Sequence, residues 1–161
     1  MPKISAGLLM YRIREGKPEF FLVHPGGPFW KNKDEGAWSI PKGGIEKDEG
    51  GLTAAKREFE EETGFKPTPK GPLRGEEFKP LTPVRQRSGK IIHAWAFVGD
   101  CNPATLKSIT SKIKVPWARE ELEIPEVDKA GFFRLEEAVK KINPAQAAFL
   151  KEALDAIQNK R

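Results

Sequence analysis

The segment Gly43–Phe65 reads Gly-Gly-Ile-Glu-Lys-Asp-Glu-Gly-Gly-Leu-Thr-Ala-Ala-Lys-Arg-Glu-Phe-Glu-Glu-Glu-Thr-Gly-Phe. Its first nine residues are glycine-rich and acidic, which predicts a loop. Leu52–Thr63 holds neither Gly nor Pro and predicts a helix that Gly64 ends. At about 100° per residue, Glu58, Glu61 and Glu62 share one helix face, and Leu52, Ala55 and Phe59 form an apolar stripe beside it. Such a helix docks on a core by one side and presents carboxylates at the edge of a cleft. Like charges at i, i+4 cost roughly 0.2–0.5 kcal/mol per pair. Glu58 and Glu62 are such a pair, and Glu61 crowds them. A divalent cation converts that repulsion into chelation, and carboxylate oxygens suit hard ions such as Mg²⁺ or Mn²⁺.

Outside this segment the balance of charge reverses. The segment carries seven Asp or Glu against three Lys or Arg, while the whole chain of 161 residues has a net charge of +5. That length suits one domain, taken as 1–161. Ten Phe and four Trp are available for a core, and 15 Gly with 14 Pro predict long, well-punctuated loops. The longest apolar run, Ala6–Tyr11, is far short of the ~20 residues of a membrane span. Arg12 and Arg14 stand where a signal peptide would need small residues, so none is expected. A single cysteine, Cys101, rules out an intrachain disulfide and a cysteine-based zinc cluster, and a reducing, cytoplasmic setting is expected.

Ile4–Arg12 and Glu19–His24 read as strands, the second closed by Pro25-Gly26-Gly27-Pro28. Trp38–Ile40 is a short strand stopped by Pro41, and another is expected near Arg74–Pro80. Ile91–Val98 is apolar on both alternating faces and predicts a central strand covered on both sides. Ile109–Val115 and Gly131–Arg134 are further strands, and Leu135, Ala138, Val139 and Ile142 form a helical stripe. Asn143-Pro144-Ala145-Gln146 opens a last helix, with Asn as N-cap, Pro at N1 and Gln at N3. Strands and helices mix without regular βαβ alternation, which predicts an α+β sandwich rather than a doubly wound sheet.

Glu-rich helix segments are ordinarily solvated faces; here the spacing decides otherwise. Gly43, Glu49, Arg57, Glu58, Glu61, Glu62 and Gly64 stand at the spacing Gly, five residues, Glu, seven residues, Arg-Glu-apolar-any-Glu-Glu-any-Gly-apolar. This pattern resembles the Nudix box. At ~7% per residue type, seven such matches arise by chance roughly once in 10⁸ starting positions. Phe59 and Phe65 stand where smaller aliphatic residues are commoner, a packing adjustment. The segments at His24–Trp30, Trp38–Gly43 and Asn143–Leu150 are similar to a bacterial Nudix subgroup described as predicted nucleoside triphosphate pyrophosphohydrolases. The Ile40-Pro41-Lys42-Gly43 approach to the box also resembles that of asymmetric diadenosine tetraphosphate hydrolases.

The resemblance implies a Nudix-type α/β/α sandwich with a mixed central sheet. It also implies Mg²⁺- or Mn²⁺-dependent cleavage of a nucleotide's pyrophosphate linkage by water. Glu58, Glu61 and Glu62 are then the metal-binding and catalytic carboxylates, and the backbone carbonyl of Lys42 is a further ligand. Arg57 pairs with Glu49 to hold the loop on the helix, while Gly43 and Gly64 serve the backbone. Which glutamate is the base stays open, as does whether a loop glutamate among Glu120, Glu121, Glu123 and Glu126 joins the site.

For substrate binding, Lys42 and two basic residues, Arg85 and Arg87, can hold phosphates; the two arginines share a face if that stretch is extended. Phe29, Trp30, Trp38, Trp95 and Phe149 are candidates to frame a base, with Trp95 better placed in the core and Trp30 better placed for stacking. His24, at a strand end, is a candidate substrate contact. Nucleoside polyphosphates, such as diadenosine tetraphosphate or a nucleoside triphosphate, rank above ADP-ribose and other nucleotide sugars. The competing class is a non-catalytic nucleotide- or RNA-binding module, against which three crowded carboxylates argue. Nucleic acid and membrane are not expected partners, Cys101 is expected to be incidental, and monomer and homodimer both stand.

Overall fold

In a computed structural model of the chain, residues 3–158 are described. Strands β1 (Ile4–Arg14) and β2 (Lys17–Pro25) form a hairpin with Arg14 opposite Lys17. Its two linking residues, Glu15 and Gly16, both have positive φ (52° and 75°), the handedness that matches strand twist in a two-residue turn. A short β3 (Lys42–Gly44) pairs antiparallel with the start of β1 and leads through a loop to α1 (Gly51–Thr63). Then come β4 (Lys79–Pro80), β5 (Val84–Arg85) and β6 (Ile91–Val98), the last running parallel to β1. A ribbon of β7 (Thr110–Ile113) and β8 (Leu122–Pro125) stands apart from the main sheet. The chain ends in β9 (Val127–Arg134), α2 (Leu135–Lys141) and α3 (Ala147–Gln158).

The main sheet has seven strands in the order β4-β6-β1-β2-β9, with β3 added to β1 and β5 to β6. One parallel pair among antiparallel ones makes it mixed. Alternation divides its side chains between two cores. Leu9, Phe20, Leu22, Ile92 and Ala94 meet Ala138 of α2 and Phe149, Leu150 and Ala153 of α3. Leu8, Met10, Phe21, Val23 and Phe97 meet Ala54, Ala55 and Phe59 of α1 on the other face. This is the expected α+β sandwich, with helices on both sides of a mixed sheet. Burying each such large side chain contributes about 1.5–3 kcal/mol, so the apolar stripe of α1 fixes which way its carboxylates point.

Several elements differ from the sequence expectation. Trp38–Ile40 is no strand: Trp38 and Ser39 make only isolated bridges, to Ile142 and Val23. Of Arg74–Pro80, only Lys79–Pro80 pairs as a strand. Leu122–Pro125, expected as loop, is β8. Arg87 lies on the turn after β5, so it and Arg85 do not share a strand face. Asn143 does cap, accepting from the Ala145 amide, but a 3-10 turn (Pro144–Gln146) precedes α3. The Gln146 side chain instead accepts from the amide of Ile40.

Candidate active site

The box is assembled by close backbone approach. A Cβ on Gly43 would sit 2.0 Å from Glu58 Oε2, so only glycine lets β3 lie against that carboxylate. At the far end of α1, Gly64 adopts a left-handed conformation (φ 80°), and its amide donates to the carbonyl of Glu60. Arg57 ties loop and helix together. Its Nε and Nη2 donate to the two carboxylate oxygens of Glu49 at 2.8 and 3.0 Å, and Nη2 also donates to the Gly44 carbonyl at 3.0 Å. Its Nη1 donates to Glu58 and Glu61 at 2.9 and 3.0 Å. This guanidinium holds the Glu49 carboxyl below the usual carboxylate range, and Glu49, supported by Glu58, raises the pKa of Arg57 in turn.

Glu58 and Glu62 move the other way. Burial raises both, against Arg57 for Glu58 and against Lys42 for Glu62, which is pushed up to about 8. Negative neighbours add to each: Glu61 and Glu126 at Glu58, Glu126 and Glu58 at Glu62. The Lys42 amide donates to Glu62 at 3.2 Å. The Lys42 ammonium is lowered by burial first and then by repulsion from Lys90.

Among the described residues, no three acidic or imidazole side chains already converge as a ligand set. Glu58 and Glu61 are drawn onto Arg57, and Glu62 onto the backbone of Lys42. The donor chemistry nonetheless fits a hard divalent cation: the available groups are carboxylate oxygens, partly buried and mutually repelling.

Of the four loop glutamates, the lining of this cleft includes one. Glu126, between β8 and β9, lines the same cleft as Lys42 and Glu62 and is held by the Ser111 hydroxyl at 2.5 Å. Glu123 is exposed and accepts from Thr110, and Glu120 and Glu121 are exposed. Trp30, 39% exposed, forms the outer wall of the cleft, with Gln86, Asn143 and Gln146 alongside. Arg85 and Arg87 lie beyond Trp30 in an adjoining pocket.

His24 does not face the cleft. Its ring is 0% exposed, with Nε2 2.6 Å from the Lys33 carbonyl oxygen and Nδ1 2.8 Å from Asp128 Oδ1. Both ring nitrogens are taken, so His24 pins the loop that carries Trp30. Trp38 and Phe149 are core residues, and Trp95 packs partly buried against the α1 side of the core. Phe29 is exposed beside Trp117. Sequence reasoning missed Gln86 and Gln146 at the site. Only Gln146 carried a signal, as a helix-start residue whose side chain turned out to serve Ile40.

A family model described as NUDIX domain matches residues 1–153. Solved structures with a similar fold include the C. elegans Ap4A hydrolase in a binary complex, at 22% identity over 96% of each chain and a TM-score of 0.60. The NUDIX domain of Shewanella oneidensis NrtR complexed with ADP ribose is 13% identical over 96% of this chain and 86% of that one, with a TM-score of 0.61. A mutT/nudix family protein from Listeria innocua is 19% identical over 98% and 95%, with a TM-score of 0.59. No curated protein matches the chain. Identities this low speak for the fold alone; the family match over nearly the whole sequence speaks for descent. The chain belongs to the NUDIX domain family.

Proposed function

We propose that this chain, one domain over 1–161, is a divalent-metal-dependent hydrolase that cleaves the pyrophosphate linkage of a nucleoside polyphosphate by water attack at phosphorus. One observation carries the proposal: Glu62 and Glu126 line one cleft with Lys42 and the aromatic Trp30, and Glu58 stands close enough to share their mutual repulsion. Carboxylates alone would repel a diphosphate. Mg²⁺, or Mn²⁺ in its place, would neutralise phosphate oxygens there and make water a better nucleophile.

Glu58, Glu61 and Glu62, with the Lys42 carbonyl, are the groups to hold that ion. Arg57 orients Glu58 and Glu61 from one guanidinium edge. The Lys42 ammonium, close enough to feel Glu62 and Glu58, is placed for the diphosphate. A carboxylate within hydrogen-bond reach takes the water's proton; Glu126 is the candidate outside the box. No covalent nucleophile is required, and Cys101 lies away from the cleft, beside Arg12 and Asp100. We keep a cytoplasmic setting as part of this proposal.

Dinucleoside tetraphosphates and nucleoside triphosphates are the leading substrates. ADP-ribose or another nucleotide sugar is the second reading, favoured by the ADP-ribose bound to the similar NrtR domain. A screen of nucleotides with product identification tests both. Diadenosine tetraphosphate giving ATP and AMP, or a triphosphate giving monophosphate and pyrophosphate, supports the first. Cleavage of ADP-ribose alone supports the second, and no cleavage with any cation leaves the binding-module alternative.

A further inference from the structure

Beyond Trp30 the cleft opens into a second pocket edged by Arg85, Arg87 and Ser88 on one side and Asn143 and Ala145 on the other. Trp30, Gln86 and Asn143 line both spaces, so the two are continuous. The outer space is about 860 Å³, against about 210 Å³ for the inner one that reaches Lys42, Glu62 and Glu126.

The charges of the outer pocket are unbalanced. Arg12, Arg57 and Arg134 are each held by carboxylates. The side chains of Arg85 and Arg87 are exposed and make no hydrogen bond or ion pair with any described residue. Among the described residues, no Asp or Glu lines the outer pocket. Lys90, on the far side of the same turn, already repels Lys42 at the inner end. The path from the box to the outer pocket therefore leaves the carboxylates behind, passes an aromatic ring and ends at two guanidiniums. A guanidinium matches phosphate oxygens with two parallel N–H donors, whereas a ribose hydroxyl offers it no charge.

We propose that this outer pocket holds the part of the substrate beyond the cleaved diphosphate, with further phosphate on Arg85 and Arg87 and the attached base against Trp30. It selects chains of three or more phosphates over a diphosphate joined to a sugar. The proposal rests on the pyrophosphohydrolase reading above and decides between its two substrate classes.

The test separates the two claims. Inorganic tripolyphosphate is titrated calorimetrically, without divalent metal, into the full chain and into the Arg85→Ala/Arg87→Ala double variant. A Lys140→Ala/Lys151→Ala variant loses the same charge elsewhere on the surface and serves as control. The arginine variant is expected to bind about tenfold more weakly, the loss of one charge-assisted contact; the lysine control is expected to match the parent. With cation present, the KM for diadenosine tetraphosphate should rise by a similar factor at unchanged kcat, with KM for ADP-ribose unmoved. Equal tripolyphosphate affinity in parent and arginine variant overturns the subsite, and so does an equal loss in the lysine control. Full turnover in Glu61→Gln overturns the pyrophosphohydrolase site instead, while the metal-free titration still reports on the outer pocket.

Discussion

Replacing Gly43 by Ala should separate activity from stability. A Cβ there would lie 2.0 Å from Glu58 Oε2 and 2.1 Å from its Cδ. Ordinary contact begins near 3.4 Å, so the carboxylate must retreat by about 1.4 Å. It is the far end of a flexible side chain, and Gly43 is not among the glycines with positive φ, so the fold can absorb the change. Loosening one hydrogen bond to Arg57 costs about 0.5–1.5 kcal/mol. The lower entropy of the unfolded chain returns about 0.4–1 kcal/mol. Net stability should therefore stay within about 1 kcal/mol of the parent. Activity should not, because a 1 Å misplacement of a reacting group costs roughly 10²-fold. Gly44→Ala is the internal control: its Cβ meets nothing within 4 Å. The assay pairs thermal unfolding with steady-state hydrolysis of a nucleotide substrate. A folded Gly43→Ala protein with parental kcat would refute the role given to the Glu58 position, as would an equal loss in Gly44→Ala.

Arg57→Lys keeps the charge but loses the planar fork. With Glu49 and Glu58 left short of partners but the site partly open to solvent, a loss of about 1–3 kcal/mol is expected in urea unfolding; an unmoved midpoint would contradict it. His24→Ala empties a fully buried position and strands the Lys33 carbonyl and Asp128. It should destabilise by about 2–4 kcal/mol in thermal unfolding, and lost kcat at unchanged stability would show instead that the ring acts in the reaction. The Cys101 thiol is pushed up to about 11, by burial first and then by Asp100. Below that pH the thiol keeps its proton, so alkylation followed by mass spectrometry should be slow at neutral pH and climb through the alkaline range; rapid alkylation at neutral pH would contradict the placement.

The helix α1 was legible in sequence because its determinants are local: an unbroken run, an apolar stripe at helical spacing and a glycine able to take the left-handed C-terminal conformation. The two faces of β6 were legible for the same reason, since alternation survives wherever both sides of a strand are covered. What escaped depends on partners far along the chain. The two hydrogen-bond partners of His24 come from a loop nine residues away and a strand 104 residues away, so nothing local to this strand end shows that its ring is sealed. Leu122–Pro125 is a strand only because β7 pairs with it; four residues ending in Pro carry little signal alone. Choosing Glu126 from four acidic residues required the corner between β8 and β9, which brings it to Glu62. Arg85 and Arg87 were expected on one strand face and reach one pocket by another route, a turn closed by Gly89 at φ 92°.

The most direct test of the central claim is the rate of nucleotide pyrophosphate hydrolysis against Mg²⁺ concentration, for the parent chain and for Glu61→Gln. Turnover in the parent should vanish in chelator and return with Mg²⁺ or Mn²⁺, while Glu61→Gln, folded by its unfolding curve, should lose at least about 10²-fold at every concentration. A parental rate that ignores the cation, or a Glu61→Gln protein as fast as the parent, would contradict the assignment of the helix carboxylates to a cation held against the diphosphate.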